Sequence, residues 1–119
     1  MKTLLITLCL LAPITANAAC APTDFVVKDF AVSARQSGMR STMIMKGELV
    51  NNCATPAAAQ VEIDARDANG KVLQSRKGWP AGTTNIAPGK SVPFNLGRMF
   101  HYQASMQSYA VRVVSVRTW

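Results

Sequence analysis

The sequence predicts an all-β protein: one domain built as an antiparallel β-sandwich of two sheets. About six or seven short segments rich in β-branched and aromatic residues recur at regular spacing along the chain. Turn-forming Gly, Pro and Asn residues separate these segments, and no stretch shows a convincing amphipathic-helix period. This combination is typical of sandwiches of two antiparallel sheets.

The first 18 residues have the order of a cleavable signal peptide. Lys2 precedes an apolar run over residues 4–12, Pro13 interrupts the run, and the small-residue triplet 16–18 follows. A charged start, an apolar core and an A-x-A site direct export. The apolar run is about half the roughly 20 residues that span a bilayer. We therefore expect a mature domain over residues 19–119, with no transmembrane segment.

Cys20 raises the alternative of a lipoprotein, because it follows two small residues. Acylation there would tether the domain to a membrane, but a lipobox requires an aliphatic residue three places before the cysteine. Asn17 occupies that place, so the sequence disfavours this alternative. We expect a periplasmic location, with secretion as the second destination.

Cleavage removes Cys9 and leaves two cysteines, Cys20 and Cys53. An even number of cysteines in an oxidising compartment predicts a disulfide. Closing that loop stabilises the fold by roughly 4 kcal/mol in the chain-entropy description. A redox pair is the alternative, but the two cysteines are far apart and form no C-x-x-C motif. The pattern favours a structural bond.

Residues 25–32, rich in aromatic and β-branched side chains, predict the first strand. Residues 33–41 show no apolar period and contain Gly38, so a loop is expected there. Residues 42–51 alternate with a period of two and predict a half-buried strand. Gly47 within that strand indicates a bulge or the close approach of another backbone.

The strictest alternation in the chain lies at residues 60–66 and predicts a strand. Asn69-Gly70 follows as a strong hairpin signal, because both residues tolerate positive φ. Residues 71–76 should return as the partner strand. Residues 78–82 then break the pattern, with Trp79 either filling space under that loop or facing a ligand.

Residues 86–89 predict a turn, since proline presets φ and glycine follows it. Residues 90–96 form a short strand in this interpretation. Residues 97–108 lack a period and predict a partly apolar loop or a helical turn. The last strand covers residues 109–116, where the apolar parity shifts, so a bulge or burial on both faces is expected.

The middle of the chain carries an ordered set of strand and turn residues. It runs Met45-x-Gly47-x-Leu49-x-Asn51, then Val61-x-Ile63-x-Ala65-Arg66-Asp67-x-x-Gly70-Lys71-Val72, then Ile86-x-Pro88-Gly89 and Phe94. With this order, residues 43–96 resemble the FxLYD-type immunoglobulin-like domains of bacterial envelope proteins. The resemblance implies an immunoglobulin-like sandwich in the cell envelope and no shared catalytic residues.

The chain departs from that family at its name-giving motif. Where the motif has Phe, Leu and Tyr, this sequence has Ile63, Ala65 and Arg66. Only Asp67 fits, so the resemblance concerns strands and turns and not chemistry.

The mature chain is basic. Removal of Lys2 leaves 12 basic and six acidic side chains and a net charge of +6. A basic exported protein suits an anionic polymer or lipid surface, although solubility alone also explains the charge. The basic residues are dispersed and not interleaved with aromatics, so nucleic-acid binding is not favoured.

No catalytic, cofactor-binding or metal-binding constellation is expected. His101 is the sole histidine, and the mature cysteines are expected to be bonded. Glu62 and Asp64 share the outward face of one strand, about 6.5–7 Å apart along the backbone. That spacing invites comparison with a glycosidase pair, but an open sheet face more often holds such residues as solvated surface.

These observations predict a non-enzymatic binding or accessory module of the cell envelope, with another envelope protein as partner. Binding to an anionic surface or polymer is the alternative, and inhibition of a secreted hydrolase by one loop is a third hypothesis. The candidate partner-binding residues are Trp79, Phe100, His101 and Tyr102.

Overall fold

The computed structural model describes residues 19–119, which form an all-β fold. Its strands are β1 (Phe25–Ser37), β2 (Arg40–Asn51), β3 (Ala58–Arg66), β4 (Val72–Gly78), β5 (Ser91–Asn95) and β6 (Ser108–Arg117). Two short 3-10 helices span Pro22–Asp24 and Gly97–Met99. Within the described residues, no helix has the length and apolarity needed to cross a bilayer. The signal peptide predicted for residues 1–18 lies outside this part of the chain.

The strands form two antiparallel sheets of three. The first sheet has the order β1-β2-β5, and the second has the order β4-β3-β6. Side chains from both sheets share one buried core, which makes the pair a sandwich. The predicted fold class is confirmed.

The central strands β2 and β3 supply the most deeply buried side chains. Met45 and Leu49 of β2 and Val61 and Ile63 of β3 each have 0% exposure. Successive side chains of a strand point to opposite faces, so alternate residues of both strands fill the space between the sheets. Complete burial of one such side chain stabilises the fold by about 1.5–3 kcal/mol.

The loop predicted for residues 33–41 is wrong, because both strands continue through it. β1 runs to Ser37 and β2 begins at Arg40, and these two residues pair across a turn. Gly38, with a φ of 63°, occupies the first position of that two-residue turn. The two strands stay paired through main-chain hydrogen bonds in a region where many side chains are exposed on both faces. The sequence therefore shows no apolar period there.

The expectation of irregular backbone at Gly47 is confirmed. The register of β1 with β2 shifts between Lys28 and Ala31, so that Asp29 and Phe30 together lie opposite Gly47. A Cβ atom at Gly47 would lie 3.2 Å from the carbonyl oxygen of Lys28. Glycine thus permits the close approach of the bulged strand.

The parity shift in β6 also corresponds to a bulge. The register of β3 with β6 shifts between Gln60 and Val61, where Val114 has no Cα partner. The β6 side chains that pack on the core are Tyr109, Val111, Val113 and Val116. One extra residue therefore keeps apolar side chains pointing inward on both sides of the shift.

The turn predicted around Asn69-Gly70 is present between β3 and β4. The Asp67 carboxylate accepts hydrogen bonds from the amides of Asn69 and Lys71, both at 2.9 Å. Gly70 has a φ of 82°, which glycine adopts without strain. This prediction is confirmed.

Asn51 is a fully buried polar residue at the end of β2, with 0% exposure. Its Nδ2 donates to the carbonyl oxygens of Thr55 at 3.0 Å and Ile86 at 2.7 Å, and its Oδ1 accepts from the Cys53 amide at 2.7 Å. The side chain thereby satisfies three main-chain groups of two separate segments. Buried polar groups of this kind are costly only when they lose their partners.

The predicted disulfide Cys20–Cys53 is confirmed. The two Cα atoms lie 5.8 Å apart, within the usual range for this bond. The bond fixes the segment before β1 to the turn that Asn51 organises. The N-terminal end of the domain is therefore joined covalently to the crossing between the two sheets.

Gly97 fixes the opposite end of the sandwich. A Cβ atom on this buried residue would overlap the carbonyl group of Met43 on β2. The Leu96 amide donates to the carbonyl of Met45 at 2.9 Å, and the Asn95 side chain accepts from the amides of Met45 and Gly97 at 3.0 Å each. The chain leaves β5 pressed against the backbone of β2.

Replacing Asn51 by Ala should lower the free energy of unfolding by about 3 kcal/mol, because it leaves buried main-chain groups without partners. Denaturant unfolding monitored by fluorescence measures this loss. The matched control is Asn52→Ala at the exposed neighbour, expected to change stability by less than about 0.5 kcal/mol. Equal losses in the two variants would contradict the role of Asn51.

Gly97→Ala should lower the free energy of unfolding by about 3 kcal/mol or more, since the added methyl group meets fixed backbone. Gly78→Ala is the control, because a Cβ atom there meets only the side-chain ends of Leu96 and Met99. Its expected loss is about 1 kcal/mol or less. Urea titration of both variants at neutral pH makes the comparison, and a smaller loss at Gly97 than at Gly78 would refute the close contact.

Candidate functional site

The four sequence-predicted partner residues occupy different environments. Phe100 is buried in the core at 5% exposure, with the Arg76 guanidinium 5.9 Å from its ring centre. Tyr102 is half-buried and packs against the same core. His101 between them is exposed. Phe100 and Tyr102 therefore join the core, and His101 presents its side chain to solvent.

His101 has a main-chain role in the fold. The Gln74 side chain of β4 donates to the His101 carbonyl at 2.6 Å and accepts from the His101 amide at 3.0 Å. Arg76 Nε likewise donates to the carbonyl of Met99 at 3.1 Å. The segment after β5 is thus bound along β4 by side chains of that strand.

Trp79 contacts an aromatic residue that sequence reasoning missed. Its half-buried ring meets that of Trp119 edge to face, with centroids 6.1 Å apart and an angle of 71°. The Arg117 guanidinium lies 4.6 Å from the centre of the Trp119 ring. Asn85 holds the main chain of Trp119 through two hydrogen bonds, at 2.9 and 3.1 Å. These residues meet only through the fold, so no local sequence pattern identifies the group.

A cluster of charged side chains lies on the outer face of the second sheet. The Asp64 carboxylate accepts from Ser75 Oγ at 2.6 Å and from Arg112 Nη1 at 2.9 Å, and Arg66 lies 3.3 Å away. Arg112 also pairs with Glu62. The Ser75 hydrogen bond and the Arg112 guanidinium lower the pKa of Asp64 to about 2.

This environment suits a structural carboxylate. A general acid needs a raised pKa, whereas the partners of Asp64 hold its charge and occupy its oxygens. Its side chain is 5% exposed, which leaves little access for a substrate. Across residues 19–119, no group of three His, Cys, Asp or Glu side chains is placed to hold a metal ion.

Two of the four sheet edges are protected against pairing with another strand. β5 carries Pro93, which has no amide hydrogen to donate. Beside β4, the side chains of Gln74 and Arg76 hold the segment that follows β5, which hinders the approach of another strand. Proline and covering loops are common ways to block an edge strand.

The directions in which the main-chain groups of β2 point show which main-chain groups of β1 lie on the side away from β2. The Asn51 amide donates to the Lys90 carbonyl at 3.0 Å, and the Met45 carbonyl accepts from the Leu96 amide at 2.9 Å. The main-chain groups of these two β2 residues therefore point toward β5. Main-chain groups alternate in direction along an antiparallel strand. The main-chain groups of Lys46, Glu48 and Val50, which alternate with these residues, therefore point toward β1.

The β1 partners of Asn51, Leu49, Met45 and Met43 consequently direct their main-chain groups away from β2. We define the β1 edge as the N–H and C=O groups of these partners, Phe25, Val27, Val32 and Ala34, of which the Phe25 N–H already donates to the Pro22 carbonyl. No ladder joins them to another strand in the part of the chain described here. The bulge at Asp29 divides the β1 edge into two stretches.

A groove separates the β1 edge from β6. It has a volume of about 280 Å³, and its walls include Phe25 and Val27 of β1 and Val111 and Val113 of β6. Among residues 19–119, β6 is itself an edge strand and pairs only with β3. Two edge strands therefore face each other across a groove on one side of the sandwich, which Thr23 and Arg112 also line.

Comparisons of the chain with protein-family models, curated proteins and solved structures find no match. The resemblance to FxLYD-type domains stays a prediction.

The Asp64 pKa has a consequence for stability. Because the pKa is lower in the folded chain than the ordinary value of 3.8, the stabilisation is complete above about pH 4 and is lost as the pH falls through 2. Since the cluster borders solvent, we expect about 1–2 kcal/mol. Urea unfolding between neutral and strongly acidic pH measures it.

The variant Asp64→Asn should lack this acidic decline and should be less stable than the parent at neutral pH. Glu48→Gln, at an exposed side chain of β2, serves as the matched charge change. If parent and Asp64→Asn lost stability in parallel on acidification, the cluster would not have the stabilising role assigned to it.

Proposed function

We propose that the mature chain is a non-enzymatic binding module of the bacterial cell envelope, exported to the periplasm, which holds a protein partner by strand addition. The observation that carries this proposal is the β1 edge, since β4 and β5 are protected and β1 is not. In strand addition, an extended partner segment pairs with the free main-chain groups of an edge strand. The disulfide suits an oxidising compartment outside the cytoplasm.

The side chains around the β1 edge give such pairing some selectivity. Phe25, Val27, Val111 and Val113 line the groove beside the β1 edge together with Thr23 and Arg112, and the four apolar side chains would receive alternate apolar side chains of the partner. Val26, 43% exposed, and exposed Lys28 lie on the outer face of the same strand. An extended segment with apolar residues on one face and an acidic residue on the other would match both features.

The remaining functions predicted from the sequence receive less support. An inhibitory loop would lie in residues 97–108, but two of the large apolar side chains there, Phe100 and Met106, are buried in the core. Asp64 is held ionised by hydrogen bonds and by Arg112, which favours a structural role over catalysis. The resemblance to FxLYD-type domains agrees with an envelope module that has no catalytic residues.

The β1 edge can be tested with proline, which removes one amide donor. Ala34→Pro deletes an amide that points away from β2, so the ladder with β2 keeps its hydrogen bonds. Tagged mature protein, crosslinked in its native envelope, should lose by at least about tenfold the partner that the parent recovers. Quantitative mass spectrometry of the captured proteins provides the measurement.

Ser91→Pro is the matched control, because it places proline at the first residue of β5, on the already protected edge of the same sheet. Its capture of the partner should equal that of the parent. Hydrogen exchange provides the second readout: the partner should slow exchange at the Val32 and Ala34 amides and leave Ser33, which faces β2, unchanged. Undiminished capture by Ala34→Pro, with no new protection at these amides, would exclude strand addition at β1.

A further inference from the structure

Three cationic side chains lie on one outer face of the first sheet, near the β1–β2 hairpin. Arg35 of β1 pairs directly with Thr42 of β2, and Lys46 of β2 pairs with Asn95 of β5. Thr42 and Lys46 are an even number of residues apart on one strand, so their side chains share a face. Arg35 and Lys46 therefore belong to the same outer surface.

Arg98 completes this group from a different part of the chain. The 3-10 helix Gly97–Met99 is pressed against β2 because Gly97 contacts the backbone of Met43. Arg98 consequently borders a concavity of about 280 Å³ together with Thr42, Ile44 and Asn95. We name the outer surface carrying Arg35, Lys46 and Arg98 the hairpin face.

Among the described residues, no ion pair joins a carboxylate to the cations of the hairpin face, although Asp29 and Glu48 line a concavity together with Lys46. Residues 31–46 contain no Asp or Glu, and residues 68–119 contain none either. The described ion pairs belong to Glu62 and Asp64 on the other sheet. Glu48 shares the outer face with Lys46, and Asp29 lies beside them, at the end of the face away from the hairpin turn. The three exposed cations are thus free to attract an anionic partner.

The hairpin ends in an apolar side chain. Met39 occupies the turn after Gly38, and its exposure of 104% means that nothing in the fold covers it. A soluble polyanion offers an exposed methionine no apolar surroundings. The interface of a bilayer offers both negative charge and apolar surroundings, since anionic headgroups attract cations and the acyl boundary accepts apolar side chains.

We propose that the hairpin face and Met39 dock the domain on the surface of a membrane containing anionic lipid. The hairpin lies along the membrane, with Met39 entering the interface and Arg35, Lys46 and Arg98 at the level of the headgroups. This docking uses side chains of the outer face and the turn, whereas the β1 edge uses main-chain groups. It therefore stands independently of strand addition.

Sedimentation of the mature protein with phosphatidylcholine vesicles, with and without phosphatidylglycerol, tests this proposal. The parent should bind only the anionic vesicles and should be released at high salt. The triple variant Arg35→Gln, Lys46→Gln, Arg98→Gln should bind about 100-fold more weakly, at about fivefold for each cation near the surface. A second triple variant controls for net charge: Lys71→Gln, Lys77→Gln, Lys90→Gln, three exposed lysines outside the hairpin face.

If both triple variants lost binding equally, net charge alone would explain it and the hairpin face would be refuted. Met39→Ser should weaken vesicle binding by about three- to tenfold, while Val72→Ser, at an exposed valine of β4, should leave it unchanged. Heparin serves as a soluble polyanion, and Met39→Ser should not alter its retention of the protein. Binding to heparin without binding to anionic vesicles, or vesicle binding indifferent to Met39, would overturn docking on lipid.

Discussion

The hydrogen bonds of the Asn51 side chain are the constraint on which the arrangement of the two sheets depends. They hold the residues where the chain leaves β2 and crosses toward β3. They also hold Ile86, which bridges to Ala57 just before β3. Because the amide is fully buried, water cannot replace its partners. The Cys20–Cys53 bond then fixes the start of the domain to the same crossing.

The opposite end of the sandwich is held by main-chain contact and not by a buried side chain. Gly97 lies against the backbone of Met43, and the following residues run along β4, held by Gln74 and Arg76. That covering segment closes one side of the sandwich. No equivalent segment among the described residues runs between β1 and β6 on the other side, where a groove remains. The asymmetry between the two sides follows from the course of the connection between β5 and β6, which runs along β4.

Much of this fold can be predicted from the sequence, because a strand with one buried face has apolar residues at every second position. Val61, Ile63 and Ala65 mark β3, and Asn69-Gly70 marks the turn after it. The hairpin over residues 33–41 was not predicted, because successive side chains there are exposed. A ladder held by main-chain hydrogen bonds alone produces no alternation of apolar and polar residues. The cluster around Asp64 escaped for another reason: its partners Ser75 and Arg112 become neighbours only through strand register.

Most carboxylates of this chain are bound within the fold, whereas many of its cations are exposed, and this difference makes the surface positive. Asp67 holds a turn, Asp24 accepts from a main-chain amide, and Glu62 and Asp64 bind Arg112. Four of the six acidic side chains are thus bound within the fold, while many of the cations remain exposed. Cations that are dispersed along the sequence can therefore form a local positive surface in the fold, even though the sequence contains no basic run. The absence of Asp and Glu from residues 31–46 and 68–119 is the sequence signal for it, because those two stretches meet where Arg98 lies beside Thr42.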